Sequence, residues 1–158
     1  MIIRKIEWKD NAQIAKVIRD IFDELDAPKT GTAYADPILD TLYEVYQKPR
    51  SVYYVVEKDG QVLGGGGIAP LENASEEYCE LQKMYFASEI RGLGLAQEII
   101  EKGLVFAKEQ GFEKCYLETL PFMKAAQKLY HRVGFQYLDQ PLGCTGHNSC
   151  DVWMIKEL

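Results

Sequence analysis

Apolar and polar residues follow two periods along this chain, and the switches between them lay out its elements. Residues Ile2 to Trp8 predict a short strand. Asp10 reads as the N-cap of a helix in which Ile14, Val17, Ile18, Ile21 and Phe22 recur at spacings of three and four. A loop from Glu24 to Asp36 follows, and Pro37 suits the first turn of a second helix with Leu39, Leu42, Val45 and Tyr46 inward, ended by Pro49. Ser51 to Glu57 is β-branched and aromatic, and Asp59-Gly60 turns it into a hairpin. The returning strand carries Gly64-Gly65-Gly66-Gly67, which marks a bulge or a close backbone approach. Crowding by a neighbouring helix and room for a ligand both account for such a run.

The centre of the pattern runs from Cys79 to Gln110. Leu81, Met84 and Phe86 sit among Glu80, Gln82 and Lys83 as in a strand, with a break in the alternation near Lys83 and Met84. Leu95, Ile99, Leu104 and Ala107, flanked by Ile100 and Val105, fall near helical spacing, and Gly111 fits the position after the helix end. Lys114 to Leu120 is a strand, Pro121 opens a helix to Val133, and strands follow at Gly134–Leu138 and Asp151–Ile155. Between those two lies the turn-rich stretch PLGCTGHNSC. The order β-α-α-β-β-β-α-β-α-β-β predicts an α/β layer fold with a mixed sheet.

A chain of 158 residues is long enough for one well-buried domain, expected over residues 1–158. Its net charge of −6 argues against a nucleic-acid or anionic-membrane surface. No secretory segment opens it and no run of about 18 apolar residues occurs, which leads to the expectation of a cytoplasmic protein. Cys79 and Cys115 read as core residues. Cys144 and Cys150 flank His147 at spacings that suit three metal ligands, but a fourth partner is lacking nearby; free thiols and no metal are expected.

Between the central strand and helix, Arg91-Gly92-Leu93-Gly94-Leu95-Ala96 puts small residues where a backbone must come close to something. Glycine amides and the free N–H groups of a helix start can together cradle a diphosphate, and a plain tight turn uses the same glycines. The sequence has no G-x-x-x-x-G-K-S/T, no early G-x-G-x-x-G and no G-x-S-x-G, which sets aside P-loop, Rossmann and serine-hydrolase chemistry.

In register, Arg91-x-x-Gly94-x-Ala96 resembles the acyl-coenzyme A signature Arg/Gln-x-x-Gly-x-Gly/Ala of the GNAT superfamily of N-acetyltransferases. A second block, Ala126-x-x-Leu129-Tyr130-x-x-x-Gly134-Phe135, is similar to that family's A-x-x-L-Y-x-x-x-G-F. The position at which many members carry a cofactor-contacting Asn is Met123 here. The resemblance covers nearly the whole chain and implies one GNAT-like domain, a mixed sheet of about seven strands flanked by about four helices. It implies transfer of acetyl from acetyl-CoA to a primary amine of a small molecule, by direct attack in a ternary complex. Peptide or protein N-terminal or lysine acetylation, and non-catalytic acyl-CoA sensing, are the alternatives. Dimerisation is common in the family.

The resemblance also distributes roles. Arg91, Gly92, Leu93, Gly94, Leu95 and Ala96 would hold the pyrophosphate, and the backbones of Met84 and Phe86 the pantetheine arm, with the Met84 N–H on the thioester oxygen. Tyr130 takes the general-acid position; a phenol of pKa about 10 is protonated at neutral pH and can donate to a departing thiolate, although a tyrosine packed beside Leu129 and Val133 would look the same. Glu80 is the leading general base, with Glu118 as its substitute. The acceptor pocket would draw on Tyr34 and Asp36 and, from the final hairpin, on Thr145, His147, Asn148 and Asp151.

Overall fold

The computed structural model describes residues 1–145 and 150–158. Seven strands, β1 (Ile2–Lys5), β2 (Val52–Lys58), β3 (Gln61–Pro70), β4 (Tyr78–Phe86), β5 (Lys114–Thr119), β6 (Gln136–Leu138) and β7 (Val152–Glu157), form one sheet in the order β1-β2-β3-β4-β5-β7-β6. Every neighbouring pair is antiparallel except β4 and β5. The helices are α1 (Asn11–Glu24), α2 (Leu42–Val45), α3 (Leu95–Glu109) and α4 (Lys124–Arg132). Because side chains alternate along β2, Tyr53 and Val55 pack with Ile14, Ile18 and Phe22 of α1, whereas Val52 and Val56 join the clusters of Ile99, Ile100 and Ala107 of α3. Helices α1 and α2 therefore cover one face of the sheet, and α3 and α4 the other. No helix among the described residues is long and apolar enough to cross a membrane.

Crowding accounts for the four glycines of β3, and tyrosines supply much of it. A Cβ on Gly65 would lie 2.5 Å from the Tyr54 carbonyl oxygen and 2.6 Å from the Tyr53 ring; one on Gly67 would lie 2.6 Å from the Tyr53 ring and 2.9 Å from that of Tyr46. On the other face Gly66 makes way for Met84 and Ile99, and Gly64 for Phe86.

Several sequence expectations are corrected. The first strand stops at Lys5, and Trp8 starts a 3-10 turn instead of ending the strand. The second helix is far shorter than its pattern suggested. The Asp36 carboxylate accepts the Ile38 N–H at 3.0 Å, a 3-10 turn covers Leu39–Thr41, and Thr41 at φ −132° breaks the run before α2. Pro121 does not open α4, because the Gln127 side-chain amide holds the Leu120 and Pro121 carbonyls at 3.0 and 3.2 Å in a turn that precedes it.

Asp10 makes no side-chain cap on α1. It is fully buried and instead takes two hydrogen bonds from the Arg4 guanidinium, at 2.7 and 3.0 Å, and one from the Glu7 N–H at 2.7 Å. Burial alone would raise this carboxyl; the Arg4 contact and the Glu7 N–H outweigh it and hold it below its ordinary value. A depressed carboxyl contributes stability above its unfolded pKa, near 4, and loses it as pH falls through the lower folded value. Asp10→Asn is therefore expected to cost about 2–3 kcal/mol at pH 7, less than for a fully enclosed pair because Arg4 is partly solvated. In thermal melts the gap in Tm between the two proteins should narrow as the buffer is taken below about pH 4; a gap that is constant with pH would contradict the ionic assignment.

Candidate active site

The sheet splits at its centre. The parallel strands β4 and β5 pair only where Tyr78–Glu80 meet Lys114–Tyr116, and beyond that point each follows its outer neighbour. On the β3 side, Gly65 pairs with Tyr85 and Gly67 with Gln82, so Gly66 faces two residues, Lys83 and Met84. This bulge is the break in alternation seen in the sequence. Lys83 sits at φ +52°, a left-handed conformation that costs a non-glycine residue roughly 1–2 kcal/mol. Two contacts compensate: the Lys83 ammonium lies 3.1 Å from the Asp36 carboxylate, and the Lys83 carbonyl accepts the Tyr53 hydroxyl at 2.8 Å.

Two cavities open into the split. The larger, about 470 Å³, runs from Met84–Phe86 past Arg91, Gly92, Gly94, Leu95 and Ala96 to α4. The smaller, about 40 Å³ as bounded by the described residues, holds Glu80, Gln82, Lys83, Glu118, Thr119 and Cys150. They share Met84, Tyr85, Met123 and Tyr130, so these four residues form the junction.

At the outer end of the larger cleft, Gly94 is the N-cap of α3 at φ +80°, and Gly92 is at φ +77°. A Cβ on either would meet nothing within 4 Å, so these glycines answer to backbone conformation and leave open space before the first turn of the helix. As a glycine, the N-cap residue puts no side chain over that turn. The Arg91 guanidinium is already engaged, by the Glu24 carboxylate at 3.0 and 3.2 Å and the Phe86 carbonyl at 2.8 Å. Leu93 is exposed and does not line the cleft.

The second sequence block has a mechanical explanation. Val133 ends α4, Gly134 follows at φ +107°, and the Gly134 and Phe135 N–H groups bond to the His131 and Tyr130 carbonyls, both near 3 Å. This is a Schellman cap, and its apolar contact is the edge-on pair of Tyr130 and Phe135 rings, 6.1 Å apart. The Gly-Phe end of the block thereby fixes the tyrosine at the junction. Burial pushes the Tyr130 phenol above its ordinary value.

In the smaller chamber Glu80 is buried and accepts a hydrogen bond from the Gln82 amide, whose oxygen in turn accepts the Tyr46 hydroxyl at 2.6 Å. Glu118 accepts the Tyr116 hydroxyl at 2.6 Å and the Thr145 hydroxyl. Burial, together with Glu118, Glu80 and Asp151, pushes the Cys150 thiol up to about 12, so it is neutral at working pH. Asp36 reaches the chamber through Lys83. Tyr34 packs instead against Phe22, at 6.0 Å between ring centroids, and Asp151 is exposed just before β7. His147 and Asn148 lie outside the described residues, as does any use of the Cys144-His147-Cys150 spacing. The sequence reading gave no role to Gln82, Lys83, Tyr85 or Tyr53; the break in alternation marks the neighbourhood of the first three, which lie on β4, and nothing local marks Tyr53 on β2.

Residues 18–135 match the model of the acetyltransferase (GNAT) family. An uncharacterized N-acetyltransferase of Escherichia coli K12, YjgM, is 50% identical over 159 residues, covering 99% of this chain and 95% of the relative. Of human N-acetyltransferase 8, 30% identical, the chain spans about half, 55% of the length. Among solved structures, a GNAT-family acetyltransferase of Staphylococcus aureus Mu50 superposes with a TM-score of 0.86 over 99% of this chain and 98% of its own, at 19% identity. YncA of Salmonella typhimurium, described as an acetyltransferase with its cofactor acetyl-CoA, gives 0.77 over 99% and 93%, also at 19%. At such identities the structures speak for the fold, whereas the family match and the E. coli relative speak for descent: the chain belongs to the GNAT acetyltransferase family and is an N-acetyltransferase.

Proposed function

We propose that the protein transfers acetyl from acetyl-CoA to the primary amine of a small molecule, by direct attack at the junction of the two cavities. The observation that carries this reading is that junction: a long cleft of donor size and a small polar chamber meet at Met84 and Tyr130. The diphosphate of the donor lies over Gly92–Ala96, held by backbone N–H groups and the positive end of α3. Arg91 adds charge beside it from its Glu24 clamp. The pantetheine arm fills the space between β4 and β5, along Met84 and Phe86. Met123 lines the cleft where many family members have Asn, so that wall is apolar here.

Alignment of donor and amine supplies much of the rate, up to roughly 7–11 kcal/mol in well-oriented cases. The amine nitrogen attacks the thioester carbon, and the oxygen takes up negative charge against the Met84 N–H. As the C–S bond breaks, its electron pair goes to sulfur, which takes the Tyr130 hydroxyl proton. Since burial raises the phenol, Tyr130 acts first as a hydrogen-bond donor to sulfur and gives up its proton only as charge develops. Glu80, reached directly or through water, receives the proton that the amine loses, with Glu118 as the second carboxylate of the chamber.

Thiol release from acetyl-CoA across amino acids, polyamines, aminoglycosides and short peptides tests this. One small-molecule class should turn over, and Glu80→Gln should lower that rate about 100-fold at pH 7. The deficit should shrink as pH approaches the amine's own pKa, where solvent supplies the neutral nucleophile. Turnover on peptides alone would favour protein acetylation, and tight donor binding without turnover on any amine would favour a sensor.

A further inference from the structure

We propose that Tyr53 is a positioning residue that aims the Met84 N–H at the donor's thioester. Tyr53 lies on β2, two strands from the bulge, and is 1% exposed. Its ring crosses β3 over Gly65 and Gly67, the two positions at which a Cβ would strike it, and its hydroxyl donates to the Lys83 carbonyl at 2.8 Å. The bond is buried.

Its consequence follows from the peptide unit. The Lys83 carbonyl and the Met84 N–H belong to one planar trans peptide, so they point in opposite directions. A carbonyl drawn toward β2 by Tyr53 sends the N–H the other way, toward β5, where the strands have parted and the two cavities meet. A regular strand would not do this, because the Met84 N–H would join the ladder. The bulge frees the peptide from that register, and a freed peptide can rotate. Tyr53 removes that freedom from the carbonyl end, and the ion pair of Lys83 with Asp36, its Lys83 side chain 2% exposed, removes it from the side-chain end. Burial raises the Tyr53 phenol well above its ordinary value, so the hydroxyl is a donor at every working pH. The arrangement also explains why β3 needs glycine at 65 and 67: the ring can reach Lys83 only across a strand without side chains on that face.

The inference rests on the reading of the Met84 N–H as donor to the thioester oxygen, and the test separates the two. Acetyl-CoA labelled with ¹³C at the thioester carbonyl is bound to the protein, and the carbonyl stretch is measured by difference infrared spectroscopy. In the wild type the band should move to lower frequency than in water-free reference solvent; a band that does not move overturns the role of Met84 itself. In Tyr53→Phe the displacement should be largely lost and kcat should fall roughly 10- to 100-fold, with the KM for acetyl-CoA within about threefold. A displaced band and an unchanged kcat in Tyr53→Phe would overturn the inference while leaving Met84 in place. Because removing a buried hydroxyl can impair folding, p-aminophenylalanine at position 53 is the second variant. It keeps a donor at the same point, so its band should return toward the wild-type position, and a band that stays at the Tyr53→Phe position would likewise overturn the proposal.

Discussion

Tyr130→Phe is expected to lower kcat for acetyl transfer about 100-fold, a loss of roughly 2.7 kcal/mol of transition-state stabilisation, with acetyl-CoA binding changed little. The substitution is clean in structural terms. The ring keeps its edge-on contact with Phe135, and the Tyr130 carbonyl keeps the Phe135 N–H. Tm should therefore stay within about 2 °C, so that a fall in activity reports chemistry. The pH profile adds a second check. The phenol is raised by burial, and the form that donates is the protonated one, so no alkaline loss of kcat from this group is expected below about pH 10. Turnover indifferent to the substitution would reduce Tyr130 to a packing residue.

Gly65→Ala is expected to be the most damaging single methyl added to the sheet, costing about 3 kcal/mol and lowering Tm by about 6–12 °C. The new Cβ would lie 2.5 Å from the Tyr54 carbonyl oxygen and 2.6 Å from the Tyr53 ring. The first is backbone in a paired strand and the second a buried ring, so neither can step aside. Gly66 is a useful contrast, since there the obstacle is the Met84 side chain, which can bend away more cheaply. If thermal unfolding of Gly65→Ala came within 2 °C of wild type, the close packing of β2 across β3 would be wrong. Since the methyl pushes on the ring that reaches Lys83, activity should fall further than stability alone predicts.

The architecture was legible because each long element repeats its own period. The α1 and α3 stripes, the Asp59-Gly60 hairpin and the Gly111 helix stop each follow from local chemistry, and the bulge at Lys83–Met84 was visible as an interrupted alternation. The second helix was not, because Leu39, Leu42 and Tyr46 bury their side chains from 3-10 and short helical turns as well as from a continuous helix, and what breaks the run is an Asp36 side-chain bond and the Thr41 backbone. The same limit applies at the site. Gly94 and Tyr130 sit in local motifs with local causes, a helix start and a helix stop. The Tyr53–Lys83 bond, the Lys83–Asp36 pair and the Tyr46–Gln82 bond join residues 30 to 47 positions apart, and nothing in either partner's neighbourhood announces the other. The glycine run shows the gap most clearly: the sequence allowed helix crowding or ligand room, whereas the crowding comes mainly from tyrosines and from β4 side chains.

A crystal structure with acetyl-CoA, or a non-hydrolysable analogue, tests the central claim most directly. The donor should lie between β4 and β5, its diphosphate over Gly92–Ala96, its thioester oxygen about 3 Å from the Met84 nitrogen and its sulfur facing the Tyr130 hydroxyl. A donor bound elsewhere on the sheet, or one whose thioester carbonyl turns away from Met84 and whose sulfur lies out of reach of Tyr130, would contradict it.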